Sequence, residues 1–193
     1  MRTKTLLAVV AVAVCLCIAP ATFAQNLLTN GSFETDSFSG WTTGGNFEFT
    51  SVTSGPFESY TGAQDGSFYV TMGPVGSDGT LSQTFSTVAG QSYSFSFWFA
   101  SVGDNPSDFS AYWDGTPVLS LTNPNTGSNW TNYSFTETGT GSDTVSFAFR
   151  DDPAYLALDN VQVQATVPEP SSFLLLGTGV LGLGGFVRRK LGR

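Results

Sequence analysis

The chain has 193 residues, with 7 lysines and arginines against 15 aspartates and glutamates, a net charge of −8, 2 cysteines and no histidine. Without histidine there is no Ser–His or Cys–His nucleophile pair and no common zinc ligand set. The excess of acid also excludes nucleic acid as a partner, since that binding depends on cationic contacts to phosphate.

Arg2 and Lys4 open the chain, and residues 5–19 form an uncharged, mostly apolar stretch followed by Pro20 and Thr22-Phe23-Ala24. A charged start, a short apolar core and small residues at −3 and −1 predict a secretory signal peptide over 1–24, cut after Ala24. The stretch is short for a membrane span, which needs ~20 apolar residues. Cys15 and Cys17 both fall inside it, so the exported body has no disulfide. Such a body must be held by its core alone or with help from a bound ion.

Residues 25–166 are enough for one domain with its own core. Fourteen of the acids lie there against Arg150 alone, giving this body a charge of −13. A solvated acidic surface of this kind attracts divalent cations. The Gly/Ser/Thr-rich stretch 35–46 reads as a loop. Period-two alternation then marks strands at Phe68-Val70-Met72, at Leu81-Gln83-Phe85 and, most clearly, from Gln91 to Ala100. It continues at Phe109-Ala111-Trp113 and Val145-Phe147-Phe149, and is less clean at Val118–Ser120 and Leu158–Val163. The stretch 123–132 reads as a second loop. Turn signals separate the runs: Asp65-Gly66, Asp78-Gly79, Ala89-Gly90, Asp114-Gly115 and Gly139–Gly141. Many short strands spaced in this way predict an all-β body, a single jelly-roll β-sandwich.

Aromatic parity suggests a binding surface. Trp98 alternates out of phase with Tyr93, Phe95, Phe97 and Phe99, and Tyr112 out of phase with Phe109, Ala111 and Trp113. If the in-phase rings fill the core, Trp98 and Tyr112 point away from it. They could then line one groove for a sugar, with Gln83, Asp114 or Arg150 as polar partners. Trp41, Trp113 and Trp130 are assigned to core or loop packing. Asp104, Asp108, Asp151 and Asp152 read as solvated turn acids. No pair of carboxylates, phosphate-binding loop or nucleophile elbow marks an enzyme.

The chain ends in three parts. Pro168-Glu169-Pro170 is stiff and extended. Residues 172–187 are apolar and uncharged, predicting a transmembrane helix, and Arg188, Arg189, Lys190 and Arg193 follow as a basic cluster. Those charges stay on the cytoplasmic side by the positive-inside preference. Taken together, Val167–Arg193 resembles the PEP-CTERM sorting signal of Gram-negative bacteria. The resemblance implies an exosortase-type membrane protease as partner, transient anchoring in the inner membrane, and delivery to the cell surface or an exopolysaccharide matrix. The same tail is also named after ice-binding proteins, a label that implies nothing about ice here.

The body carries a second resemblance. Leu28-Thr29-Asn30-Gly31-Ser32-Phe33-Glu34 with Gly40-Trp41, the pair Leu81–Phe85 and Tyr93–Trp98, and the closing Ala157-Leu158-Asp159-Asn160-Val161 resemble galactose-binding-like jelly rolls, which include many carbohydrate-binding modules. That resemblance implies a structural calcium ion shared by Glu34 and Asp159. Two functions are therefore expected in competition. One is a structural or adhesive component of the extracellular matrix; the other is a non-catalytic carbohydrate-binding module for an exopolysaccharide.

Overall fold

The computed structural model describes residues 25–152 and 154–166. The signal peptide expected over 1–24 and the tail expected over 167–193, with its helix at 172–187, lie outside the described residues. Among the described residues no helix is long and apolar enough to cross a membrane.

Ten strands form in chain order: β1 (Thr42–Gly45), β2 (Thr50–Ser54), β3 (Phe68–Met72), β4 (Gly79–Ser86), β5 (Ser92–Ser101), β6 (Ser107–Trp113), β7 (Thr116–Thr122), β8 (Thr131–Thr138), β9 (Ser142–Asp151) and β10 (Leu156–Ala165). They make two five-stranded sheets, ordered β1-β4-β9-β6-β7 and β2-β3-β10-β5-β8. Every pairing is antiparallel. The chain stays within one sheet only for β2–β3 and β6–β7 and otherwise crosses between sheets, giving the jelly-roll sandwich expected from the alternation. At Asp114-Gly115 both residues take positive φ, 48° and 74°. That is the mirror-image turn matching strand twist in a two-residue hairpin, and Asp-Gly provides it at low cost.

Alternation is converted into a core with little loss. On β5 the residues Tyr93, Phe95, Phe97 and Phe99 are buried, while the outward Ser94, Ser96 and Trp98 are half-buried. Phe109 and Phe147 of the facing sheet meet them, with ring centroids 4.4 Å apart for Phe99–Phe109 and 5.2 Å for Phe97–Phe147. Offset and edge-on contacts at such distances add to the apolar burial that drives folding.

The N-terminal segment 25–41 closes the sandwich against β10. Leu27 N–H donates to Val163 O, Val161 N–H donates to Gly31 O, and the Asn26 side chain bonds both Val161 and Val163 backbone. A Cβ at Gly31 would stand 2.1 Å from Val161 O, so only glycine permits this approach. Beyond it Phe33 is fully buried and stacks on Trp41 at 5.6 Å, and the Trp41 indole N–H donates to Asn30 O at 3.0 Å. The Asn-Gly-Ser-Phe motif is thus a seam between the two ends of the domain.

Candidate functional site

The register of the second sheet builds a polar face around the indole of Trp98. On its outer side Trp98 of β5 lies between Asp159 of β10 and Asn132 of β8. The next rung is Gln162–Ser96–Ser134, and the one after it Gln164–Ser94–Thr136. Asn132, Ser134 and Thr136 are exposed, and the β5 and β10 members of the last two rungs are half-buried. The amides of β10 form a chain: Gln164 Nε2 donates to Gln162 Oε1 at 3.1 Å, Gln162 donates to Asn160 Oδ1, and Asn160 Nδ2 donates to Gln64 Oε1 at 3.0 Å. Hydroxyls and amides set beside one ring are the chemistry that recognises a sugar, whose faces are apolar and whose edges are hydroxyls.

A wall stands at one end of this face. The segment 55–67 between β2 and β3 folds over the outer side of the sheet, burying Tyr60 against Tyr69, Ala100 and Ala157. Trp130, one residue before β8, seals it: its indole N–H donates to Gly62 O at 3.1 Å, and its ring meets Tyr69 edge-on at 5.7 Å. Loop packing is therefore the right description of Trp130, although the layer it packs into lies outside the main core.

Two carboxylates hold the wall in place. Asp159 Oδ2 accepts the amides of Gln64 and Asp65 at 2.8 and 2.9 Å, and its Oδ1 accepts that of Asn160 at 2.6 Å. Glu34 Oε1 accepts the amides of Ser67 and Phe68, both at 2.9 Å. Gly66 lies between these pairs, and a Cβ there would come within 2.3 Å of the Glu34 carboxyl carbon. The two acids named from the motifs thus converge on one turn from opposite ends of the chain. Burial pushes the Asp159 carboxyl up to about 7, although the amides of Asp65, Asn160 and Gln64 pull the other way. The donor set fits calcium in kind: oxygen ligands only, with Glu34 on the exposed side and its Oε2 outside the amide bonds. Much of the carboxylate capacity is nevertheless taken by amides. Among the described residues no group of three or more acidic side chains gathers there or elsewhere in a metal-binding arrangement.

The remaining site residues separate. Trp98 and Tyr112 do not share a groove. Tyr112 belongs to β6 of the first sheet, where it lies between Ser146 and Pro117, so the two rings point out of opposite faces of the sandwich. Parity reports that a residue points away from the core; it does not report which sheet carries it. Gln83 turns inward instead, with its amide used up on the Thr29 backbone: Thr29 N–H to Oε1 at 2.7 Å and Nε2 to Thr29 O at 2.9 Å. Arg150 also lies on the first sheet, within 3.6 Å of Asp108 and 3.7 Å of Asp152. Asp114 Oδ1 accepts the Thr144 amide at 2.7 Å and serves its turn. Asp151, expected in solvent, is fully buried. Sequence reasoning missed Asn132, Gln162 and Gln164 because only the pairing register sets them beside Trp98 and Ser96.

Residues 25–166 match the family described as "Protein of unknown function (DUF642)", and residues 166–190 match the PEP-CTERM protein-sorting motif. None of the curated proteins matches the chain. Among solved structures the fold is similar to that of TmCBM61, determined in complex with beta-1,4-galactotriose, at 20% identity and a TM-score of 0.60, covering 74% of this chain and 99% of that one. It is similar also to the CBM22-1 xylan-binding domain of Paenibacillus barcinonensis Xyn10C, at 18% identity and 0.54, covering 77% and 99%. A third likeness is to the enzymatically active domain of bacteriophage CBA120 tailspike protein 4, at 19% identity and 0.53, covering 72% of this chain and 21% of that one. At such identities the likeness establishes the jelly-roll fold.

Proposed function

The chain belongs to the DUF642 family and ends in a PEP-CTERM sorting motif, and from that premise we propose that it is an exported, non-catalytic polysaccharide-binding protein of the cell surface. The observation that carries the reading is the outer face of the second sheet, where Trp98 stands beside rungs of amides and hydroxyls and the 55–67 segment walls one end. The carbohydrates in the complex and name of two fold neighbours support it by analogy. The face also points to a class of ligand. The body's single cation, Arg150, lies on the other sheet beside two aspartates, so nothing cationic on this face would attract an anionic polymer. A neutral glycan fits, with a pyranose ring against the indole and hydroxyls against Asn132, Gln162 and Ser134. A calcium ion shared by Glu34 and Asp159 belongs to the same proposal, as a brace for the turn that carries the wall.

Affinity electrophoresis of the purified protein through neutral polysaccharides, β-1,4-galactan and xylan among them, tests the binding. Trp98→Ala should weaken retention at least tenfold, about 1.4 kcal/mol or more. Tyr112→Ala, on the opposite face, should leave it unchanged. Retention that survives Trp98→Ala, in a variant with wild-type circular dichroism, would remove the platform.

Sorting is tested separately. We infer that an exosortase-type protease of the inner membrane releases the body near Pro168-Glu169-Pro170, in a Gram-negative host. Fractionating that host with and without the protease should show full-length protein in the inner membrane only in its absence. An identical distribution in both strains overturns this part.

A further inference from the structure

Strand β9 ends on a buried carboxylate that has no hydrogen-bond partner among the described residues. Asp143, Val145, Phe147, Phe149 and Asp151 share the buried parity of this strand, so Asp151 turns inward at the end where β9 gives way to the 152–155 connection. It is 0% exposed, and among the described residues neither Oδ1 nor Oδ2 has a hydrogen-bond partner. The other fully buried acids differ in this respect. Asp143 accepts the Thr87 hydroxyl together with the Thr140 amide and hydroxyl, and Asp159 accepts three amides. An ionised carboxylate left alone in the interior costs several kcal/mol, and natural proteins pair such groups or place them on a metal.

The surroundings of Asp151 make the deficit larger. Burial first, then the charges of Asp104 and Asp152, push its carboxyl up to about 6, and the nearby Ala154 amide offsets this only in part, without reaching hydrogen-bond geometry. The Tyr60 hydroxyl feels both Asp151 and Asp104 and is itself donated to the Tyr155 carbonyl. Arg150 is adjacent in sequence, but it points to the outer face and is engaged by Asp108 and Asp152. Asp104 is held close by its own turn: Ser107 Oγ donates to Asp104 O at 2.7 Å, and Ser107 is the register partner of Asp151. Asp104 thus lies on the turn that leads into the register partner of Asp151, where β6 begins and β9 ends, and the Asp151 carboxylate there is buried without a hydrogen-bond partner among the described residues.

We propose that Asp151 and Asp104 are the carboxylate ligands of a calcium site at this end of the sandwich, separate from Glu34 and Asp159. The body contains neither histidine nor cysteine, which leaves carboxylate and other oxygen ligands and favours a hard cation over a transition metal. A body of charge −13 draws such cations to its surface, and sites in extracellular modules work at millimolar to submillimolar calcium.

Equilibrium dialysis and thermal melts on the purified full chain, stripped with EDTA and titrated with calcium chloride alone at pH 7.5, decide the matter. The wild type should bind calcium below 1 mM and melt higher when it does. Asp151→Asn should lose that ion, and the milder Asp104→Asn, on a half-exposed side chain, should weaken its binding tenfold or more. Asp36→Asn makes the same charge change on an exposed residue elsewhere and should do neither. Glu34→Gln should leave the Asp151-dependent ion in place, so loss of the brace at the 64–68 turn and loss of this site are read independently. The proposal is overturned if the wild type binds no calcium at 1 mM, or if Asp104→Asn and every folded Asp151 variant bind it as the wild type does.

Discussion

Phe147→Ala should cost this domain about 3–5 kcal/mol, the range for deleting a large ring from a core that cannot collapse around the space. Phe147 is the ring on which both sheets and the N-terminal segment meet. Its centroid lies 5.2 Å from Phe97, 5.7 Å from Phe109, 6.0 Å from Phe95 and 6.3 Å from Trp41. Four aromatic neighbours on three different segments cannot all move into one void without breaking a ladder. With no disulfide in the described body to restrain the unfolded chain, the whole loss falls on a stability that is only ~5–15 kcal/mol for natural domains. The melting temperature should fall by on the order of 10 °C, and the urea midpoint with it. Val88→Ala, on a side chain 61% exposed, is the matched control and should stay within ~0.5 kcal/mol. A Phe147→Ala protein that melts within a few degrees of wild type would mean that the sheets do not close around this ring.

How much of this was legible in the sequence depended on burial. The strands with one face in the phenylalanine core announce themselves: β6 and β9 follow the alternation residue for residue, and β5 does so as far as Phe99, after which Ala100 is buried on the other side against Tyr60. The edge strands do not. β1 is Thr-Thr-Gly-Gly, and it is a strand only because it pairs with β4; composition alone reads it as loop. β2 is Thr-Ser-Val-Thr-Ser, whose one apolar residue gives no period to detect. β8 does alternate through Tyr133 and Phe135, but its partly exposed edge position and the Asn/Gly/Ser run before it mask the signal. The site divides along the same line. Glu34 and Asp159 are singled out by local motifs, and the two meet at one turn because Gly31 and Asn26 bring the chain ends together. The grouping of Trp98 with Tyr112 failed because it required knowing that β5 and β6, adjacent in sequence, lie in different sheets. Register and sheet membership are set by non-local pairing, and alternation in one strand carries no information about either.

The buried acids also predict an unusual pH profile. Between about pH 4 and 7 the metal-free protein should lose stability as pH rises. Asp159 is the main cause, and Asp151, pushed up to about 6 by burial, acts in the same direction. Burial holds the Asp159 carboxyl at about 7 in the fold, despite three amide bonds, against ~3.9 in the unfolded chain. The folded state therefore keeps the proton more tightly. Its contribution is complete below pH ~4 and disappears as pH climbs through the folded value. Mutual repulsion among fourteen acids opposed by one arginine acts in the same direction. Asp143 sets the opposite limb. Burial alone would raise it, but the Thr87 hydroxyl, the Thr140 amide and further hydrogen bonds hold it down at about 2. Its contribution is present above pH ~4 and is lost as pH falls through about 2. The two limbs meet in a maximum near pH 4, well below the ordinary optimum of pH ~5–8. Melting in EDTA from pH 2 to 8 should trace this profile, with Asp159→Asn flattening the upper limb and Asp143→Asn the lower. A melting temperature that rises from pH 4 to 7 would contradict it. Calcium should act where the protons have gone: an ion that needs ionised carboxylates stabilises little at pH 4 and most at pH 8, restoring at the pH of an extracellular surface what deprotonation removes.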